Sequence, residues 1–115
     1  MNNNKKLCLF ILLVLPLVLV ITAVVLNNAR GPYWLGTNLD PEYVYLLNGL
    51  NLANFKGVGH IDHPGTPVQA LGAVVIRAVH LFGGTGDINT DVLTRPEMYL
   101  RSINFVMIVL NAAML

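Results

Sequence analysis

The chain has 115 residues, room for one small domain, and its composition excludes an ordinary water-soluble one. Hydrophobic residues make up 55% and charged residues 11%, where a typical globular domain has about 25% charged. A net charge of +1 without a basic cluster excludes nucleic acid as a partner, and a single cysteine, Cys8, excludes an internal disulfide framework.

From Leu7 to Leu26 the chain runs for twenty residues without a charge. As a helix that length spans about 30 Å, the thickness of a bilayer's hydrocarbon core, and predicts a transmembrane helix over 7–27. Pro16 removes one backbone donor mid-run and predicts a kink, which lipid-embedded helices tolerate. A cleaved signal peptide is the alternative, but the run exceeds the usual ~7–15 residues and lacks a small-x-small cleavage site. Lys5 and Lys6 favour a cytoplasmic N-terminus over 1–6, which leaves 28–100 as an extracytoplasmic loop of a protein in the cytoplasmic (inner) membrane.

Tyr33 and Trp34 follow the span, where aromatic residues commonly sit at headgroup level. Three helix starts come next. Asp40-Pro41 supplies a cap and a proline suited to the first helical position, and Tyr43, Leu46, Leu47 and Leu50 recur at helical spacing. This predicts a helix over 41–54, stopped by the glycines around Lys56. Thr66-Pro67-Val68-Gln69 reads as a capping box opening a helix over 67–82, closed by Gly83-Gly84. That helix is apolar on most sides apart from Gln69 and Arg77, and is short for a span. Thr94-Arg95-Pro96-Glu97 reads as a third capping box, after which residues 101–115 are almost wholly apolar. The last thirteen residues cover only about 20 Å as a helix, so they read as a second span cut short. The fold expected is an all-α membrane protein: one transmembrane helix, an external loop with two juxtamembrane helices, and the start of a second span.

The polar groups of the loop lie in two stretches, Asn38–Glu42 and His60–Thr66. Asp40 reads first as a helix cap, with Glu42 supporting the same first turn. Its functional alternative is a carboxylate just above the membrane that acts as a general base or holds a divalent cation. His60, Asp62 and His63 are metal-ligand residue types, but no further ligand stands at a diagnostic spacing, and His63-Pro64 favours an extended or turning loop. A metal-binding loop there would lose zinc on changing either histidine. His80, on an apolar helix, reads as packed or interfacial.

The order of these parts adds a resemblance. A first span, an acidic residue leading the helix Tyr43-Val44-Tyr45-Leu46-Leu47-Asn48-Gly49-Leu50, the stretch His63-Pro64-Gly65-Thr66-Pro67, an apolar helix closed by Phe82-Gly83-Gly84, and Arg101 opening the next apolar run follow one another. This order resembles the N-terminal region of multi-span glycosyltransferases of the GT-C superfamily, which includes protein O-mannosyltransferases, lipid A aminoarabinose transferases and Rgt-type bacterial enzymes. The resemblance implies a polyprenyl-phosphate sugar donor, an extracytoplasmic acceptor and, as further partners, the bilayer and the remaining transmembrane helices of a longer protein. It implies that Asp40 is the catalytic base, that His63 and Pro64 begin the HPP-type motif, and that Arg101 or Arg77 offsets phosphate charge. It leaves the cofactor open, with a divalent cation as one option. Two departures stand out: Pro41 separates Asp40 from Glu42 where the family has an adjacent acidic pair, and Gly65 stands where a second proline is usual. On this reading the 115 residues alone carry no activity. The alternative is a small membrane-anchored interaction protein without catalysis.

Overall fold

The computed structural model describes residues 3–35, 42–59 and 65–115, apart from the side chains of Lys6 and Leu9. These residues are helical with no strand among them, which bears out the all-α class. They form α1 (Asn3–Ala29), a 3₁₀ turn (Tyr33–Leu35), α2 (Glu42–Ala53), α3 (Thr66–Gly83), α4 (Ile88–Thr94) and α5 (Pro96–Ala113). Two compact units result, one of residues 1–31 with 105–115 and the other of 32–104.

In the first unit, α1 is a 27-residue helix that runs unbroken through Pro16. Its large apolar side chains lie exposed, with Leu13 and Leu26 each at 63%. By length and composition α1 and α3 are the two described helices able to cross a membrane. α5 falls short of that measure, since its first turns carry Glu97 and Arg101.

The second unit has a true core. Leu46, Leu50 and Ala53 of α2, Ala73 and Ile76 of α3, Val92 of α4, and Tyr99 and Leu100 of α5 cluster with Tyr33. α2 and α3 meet where both carry glycine. A Cβ on Gly49 would lie 3.4 Å from the backbone of Gln69, Gly72 and Ala73, and one on Gly72 would lie 3.9 Å from the Gly49 Cα. One turn further along α2, the Ala53 carbonyl accepts from Arg77 Nε at 2.7 Å, one turn further along α3. The two helices therefore run in the same sense through their contact. Seven residues separate Glu42 from Gly49 and six separate Thr66 from Gly72, so each helix begins about 10 Å before the crossing.

Helix ends depart from the sequence expectations in three places. The cap of α3 is Gly65, at φ 79°, with no side-chain hydrogen bond, so Thr66 stands inside the helix and Gln69 packs in the core instead of completing a capping box. Positive φ suits glycine, which moves the helix start one residue upstream. The box expected at Thr94 is also absent. Asp87 opens an additional helix, α4, by accepting from the Asn89 and Thr90 N–H groups. Thr94 is thereby the end of that helix, and its hydroxyl bonds back to the Thr90 and Asp91 carbonyls at 2.8 and 3.1 Å. Finally, α2 ends at Ala53 and is closed by Phe55, not by the glycines beyond it. Phe55 has φ 57°, and the Phe55 and Lys56 N–H groups bond to the Leu52 and Asn51 carbonyls at 2.9 and 2.8 Å, a Schellman closure with phenylalanine where glycine is usual.

Candidate functional site

The polar groups that the second unit brings together centre on Asp91, a carboxylate 1% exposed. A buried charge is tolerated only where donors surround it, and here they come from four directions. Arg95 gives Oδ1 a charge-assisted bond from Nε at 2.9 Å and another from Nη2. The Thr85 hydroxyl donates to the same oxygen at 3.1 Å. Oδ2 accepts from the Tyr99 hydroxyl and lies 3.3 Å from His80 Nδ1. An ionised carboxylate only accepts, so the His80 proton sits on Nδ1. Gly84 leaves room for that ring: a Cβ there would run into the His80 imidazole and carbonyl.

The hydrogen bond from Tyr99, with help from Arg95, His80 and Thr85, holds the Asp91 carboxyl well below the usual carboxylate range against the opposing effect of burial. The Tyr99 hydroxyl is pushed up to about 12, by burial first and then by donation to Asp91. Asp87 is also lowered, chiefly by the Thr90 N–H that it caps. Asp91 is thus ionised throughout the ordinary pH range, with both oxygens engaged by its own chain. It joins the end of α3, the 84–86 turn, α4 and the start of α5. Such a carboxylate organises a fold and has no capacity left for proton transfer.

A second tie lies nearer the helix starts. Glu97 Oε1 accepts from the Tyr43 hydroxyl at 3.0 Å and from the Trp34 N–H at 3.3 Å, while Oε2 is buried without a hydrogen-bond partner. Burial, then the bond to Glu97, raises the Tyr43 hydroxyl above its ordinary value. Asn104 Nδ2 donates to the Tyr33 hydroxyl at 3.0 Å, fixing the 3₁₀ turn to α5.

Of the residues singled out in the sequence, Asp40, His63 and Pro64 lie outside the described residues, as do His60 and Asp62. Glu42 opens α2 and is half-buried. Arg101 is exposed on α5, inside the helix and not at its opening. Arg77 is committed to structure: it caps the Ala53 carbonyl and lies 4.6 Å over the Phe55 ring. His80, read as packed or interfacial, is a partner of Asp91. Among the described residues no group of three or more His, Cys, Asp or Glu side chains is placed to hold a metal ion.

Sequence reasoning missed Asp91 and Glu97 as organising groups. The available signal was Asp91 four residues before Arg95, a spacing that pairs charges on one helical face. What the described geometry offers chemically is the region before the α2–α3 crossing. The helix that follows Asp40-Pro41 and the helix that follows His63-Pro64-Gly65 both start on that side of one contact, within roughly 15 Å of each other for helices packed in the same sense. No protein-family model, no curated protein and no solved structure matches this chain.

Proposed function

We propose that the chain is the N-terminal portion of an integral membrane glycosyltransferase of the GT-C type. It would transfer a sugar from a polyprenyl-phosphate donor to an extracytoplasmic acceptor, with α1 as the anchor in the cytoplasmic membrane. The observation that carries this reading is the crossing of α2 and α3. Two short motifs separated by more than twenty residues are each joined to a helix that starts on the same side of that crossing. The exposed apolar surface of α1 supports the anchor, and Trp34 just beyond it suits the headgroup level.

The donor's lipid holds its anomeric carbon at the membrane surface, so the base must stand there too. Asp40 accepts the proton of an acceptor hydroxyl as that oxygen attacks the anomeric carbon and the C–O bond to the lipid phosphate breaks with inversion. The electron pair of that bond leaves on the phosphate, whose charge a cationic side chain offsets. Arg101 is exposed and suited to that role, whereas Arg77 is already engaged by Ala53.

The test is sugar transfer by the membrane-embedded, full-length protein supplied with polyprenyl-phosphate sugars. Asp40→Asn is expected to lower the rate by about 10²–10⁴-fold while leaving donor binding and helicity in place. Transfer unaffected by that change would sink the assignment of the base.

A second reading, a membrane-anchored interaction protein, is favoured by one observation. The buried carboxylate of the second unit, Asp91, is fully engaged by its own chain, as expected of a structural module. Absence of any transfer, with intact folding and membrane insertion, would favour it.

A further inference from the structure

Glu97 stands in the first turn of α5, where an acid ordinarily faces water and favours the dipole of its own helix. Here its Oε1 takes two donors from far along the chain. They are the Tyr43 hydroxyl at 3.0 Å, 54 residues away, and the Trp34 N–H at 3.3 Å, 63 residues away. Trp34 belongs to the 3₁₀ turn and Tyr43 to the first turn of α2. One oxygen therefore fastens both sides of the intervening stretch, residues 35–42, which includes Asp40.

The spacing along α5 adds to this arrangement. Asn104 Nδ2 donates to the Tyr33 hydroxyl at 3.0 Å, so the 3₁₀ turn is held at two places on α5. Residues 97, 101 and 104 recur at i, i+4 and i+7 and share one face of a helix. Arg101 thus stands, exposed, on the face that carries both ties. Burial and the bond to Glu97 raise the Tyr43 hydroxyl, which keeps it a donor. Glu97 Oε2 is buried without a hydrogen-bond partner, a cost to folding, so stability alone does not account for a carboxylate here.

We propose that Glu97 is a positioning residue for sugar transfer: it clamps both sides of the Asp40 stretch to the face of α5 that carries Arg101, so that base and cation serve one donor. The inference rests on the glycosyltransferase reading above and adds a residue to it. Glu97 acts through Tyr43 and Trp34 and touches neither donor nor acceptor. A general base must be held within hydrogen-bond reach of its proton, and a misplacement of about 1 Å costs on the order of 10²-fold in rate. What the clamp supplies is an acceptor at one point, so an amide oxygen can replace the carboxylate.

Two measurements test this role. Spin labels at Leu35→Cys and Val44→Cys, both exposed and on either side of the stretch, report its width in the full chain carrying Cys8→Ser. A narrow distance distribution is expected with Glu97 or Glu97→Gln, and a several-fold broader one with Glu97→Ala. Tyr43→Phe, which removes one of the two donors, should fall between. In the membrane-embedded, full-length protein supplied with polyprenyl-phosphate sugars, Glu97→Ala should lower kcat by about 10²-fold, with Glu97→Gln close to the unchanged protein. In an Asp40→Asn background the same Glu97→Ala change should cost almost nothing more, because the base it positions is gone. An equal loss in both backgrounds would mark a merely structural residue and overturn the proposal, as would a distance distribution that Glu97→Ala leaves narrow. A protein that transfers no sugar with Glu97 intact would overturn the glycosyltransferase reading and the positioning role together. Transfer that is lost in Asp40→Asn but unaffected by Glu97→Ala would overturn the positioning role alone.

Discussion

α1 and the 32–104 unit are both rich in apolar residues, yet they use them in opposite ways. Along α1 the large side chains face outward, Leu13 at 63% exposure and Phe10 at 61%. In the 32–104 unit Ile76, Val92 and Tyr99 are fully buried, and the Tyr99 hydroxyl donates to the buried Asp91. An exposed side chain of this size forgoes about 1.5–3 kcal/mol that burial would give, so α1 carries apolar surface that gains nothing from its own chain. The other unit obtains that gain from its own chain. One segment is therefore defined by the surface it exposes and the other by its packing.

The sharpest test of this difference is the removal of Asp91. Asp91→Ala orphans the fully buried Tyr99 hydroxyl and removes the acceptor that ties Thr85, His80 and Arg95 together. The expected outcome is loss of the cooperative unfolding transition followed by circular dichroism in detergent micelles, with the helicity of α1 retained. Acid should act on the same group. Its folded carboxyl is lowered from an ordinary 3.8. Its stabilising contribution is therefore fully present above that value and is lost as the pH falls below it, through the depressed folded value. Asp91→Asn should flatten this acid limb; an unchanged limb would contradict the assignment.

Next in size is a matched pair of truncations. Ile76→Ala should cost about 2–5 kcal/mol in urea unfolding of the unit, because a fully buried side chain leaves a cavity. Leu13→Ala should leave that transition unmoved, and equal losses would erase the distinction between the regions. A smaller effect is expected where α2 meets α3. Gly49→Ala is tolerated, since its methyl group would be in ordinary contact at 3.4 Å. Gly49→Leu drives further carbons into the α3 backbone and should cost about 1–3 kcal/mol. The smallest change is a gain. Phe55→Gly relieves a left-handed backbone worth about 1–2 kcal/mol but gives up the cation–π contact with Arg77, worth about 0.5–1 kcal/mol, for a net stabilisation of at most about 1.5 kcal/mol.

What could be read in the sequence follows the same division. α1 was legible because a long charge-free run has few folded alternatives in water. The helices around Tyr43–Leu50 and Val68–Phe82 were legible from proline at their starts and from apolar spacing. α4 was not, because seven residues with the composition INTDVLT carry little periodicity and the capping Asp87 resembles a turn residue. The ties of Asp91 and Glu97 were hidden for a different reason. Each is an isolated acid whose meaning lies in partners from other segments, such as Tyr43, 54 residues away from Glu97 in the chain. The sense in which α2 and α3 cross is likewise a property of packing, invisible to helix patterns. The resemblance pointed to Asp40 and His63, which lie outside the described residues. The described helices contribute their common side of one crossing.

The Asp91 cluster also sets an order of assembly. Its partners are 4, 6, 8 and 11 residues away in the chain, so closing it costs little loop entropy. The bonds of the 3₁₀ turn to Glu97 and Asn104 span 63 and 71 residues. Local contacts form early and distant ones late. Residues 80–99 should therefore acquire protection in pulsed hydrogen-exchange labelling before Trp34 does. A nascent chain would build this small hub first and fasten its N-terminal strap last.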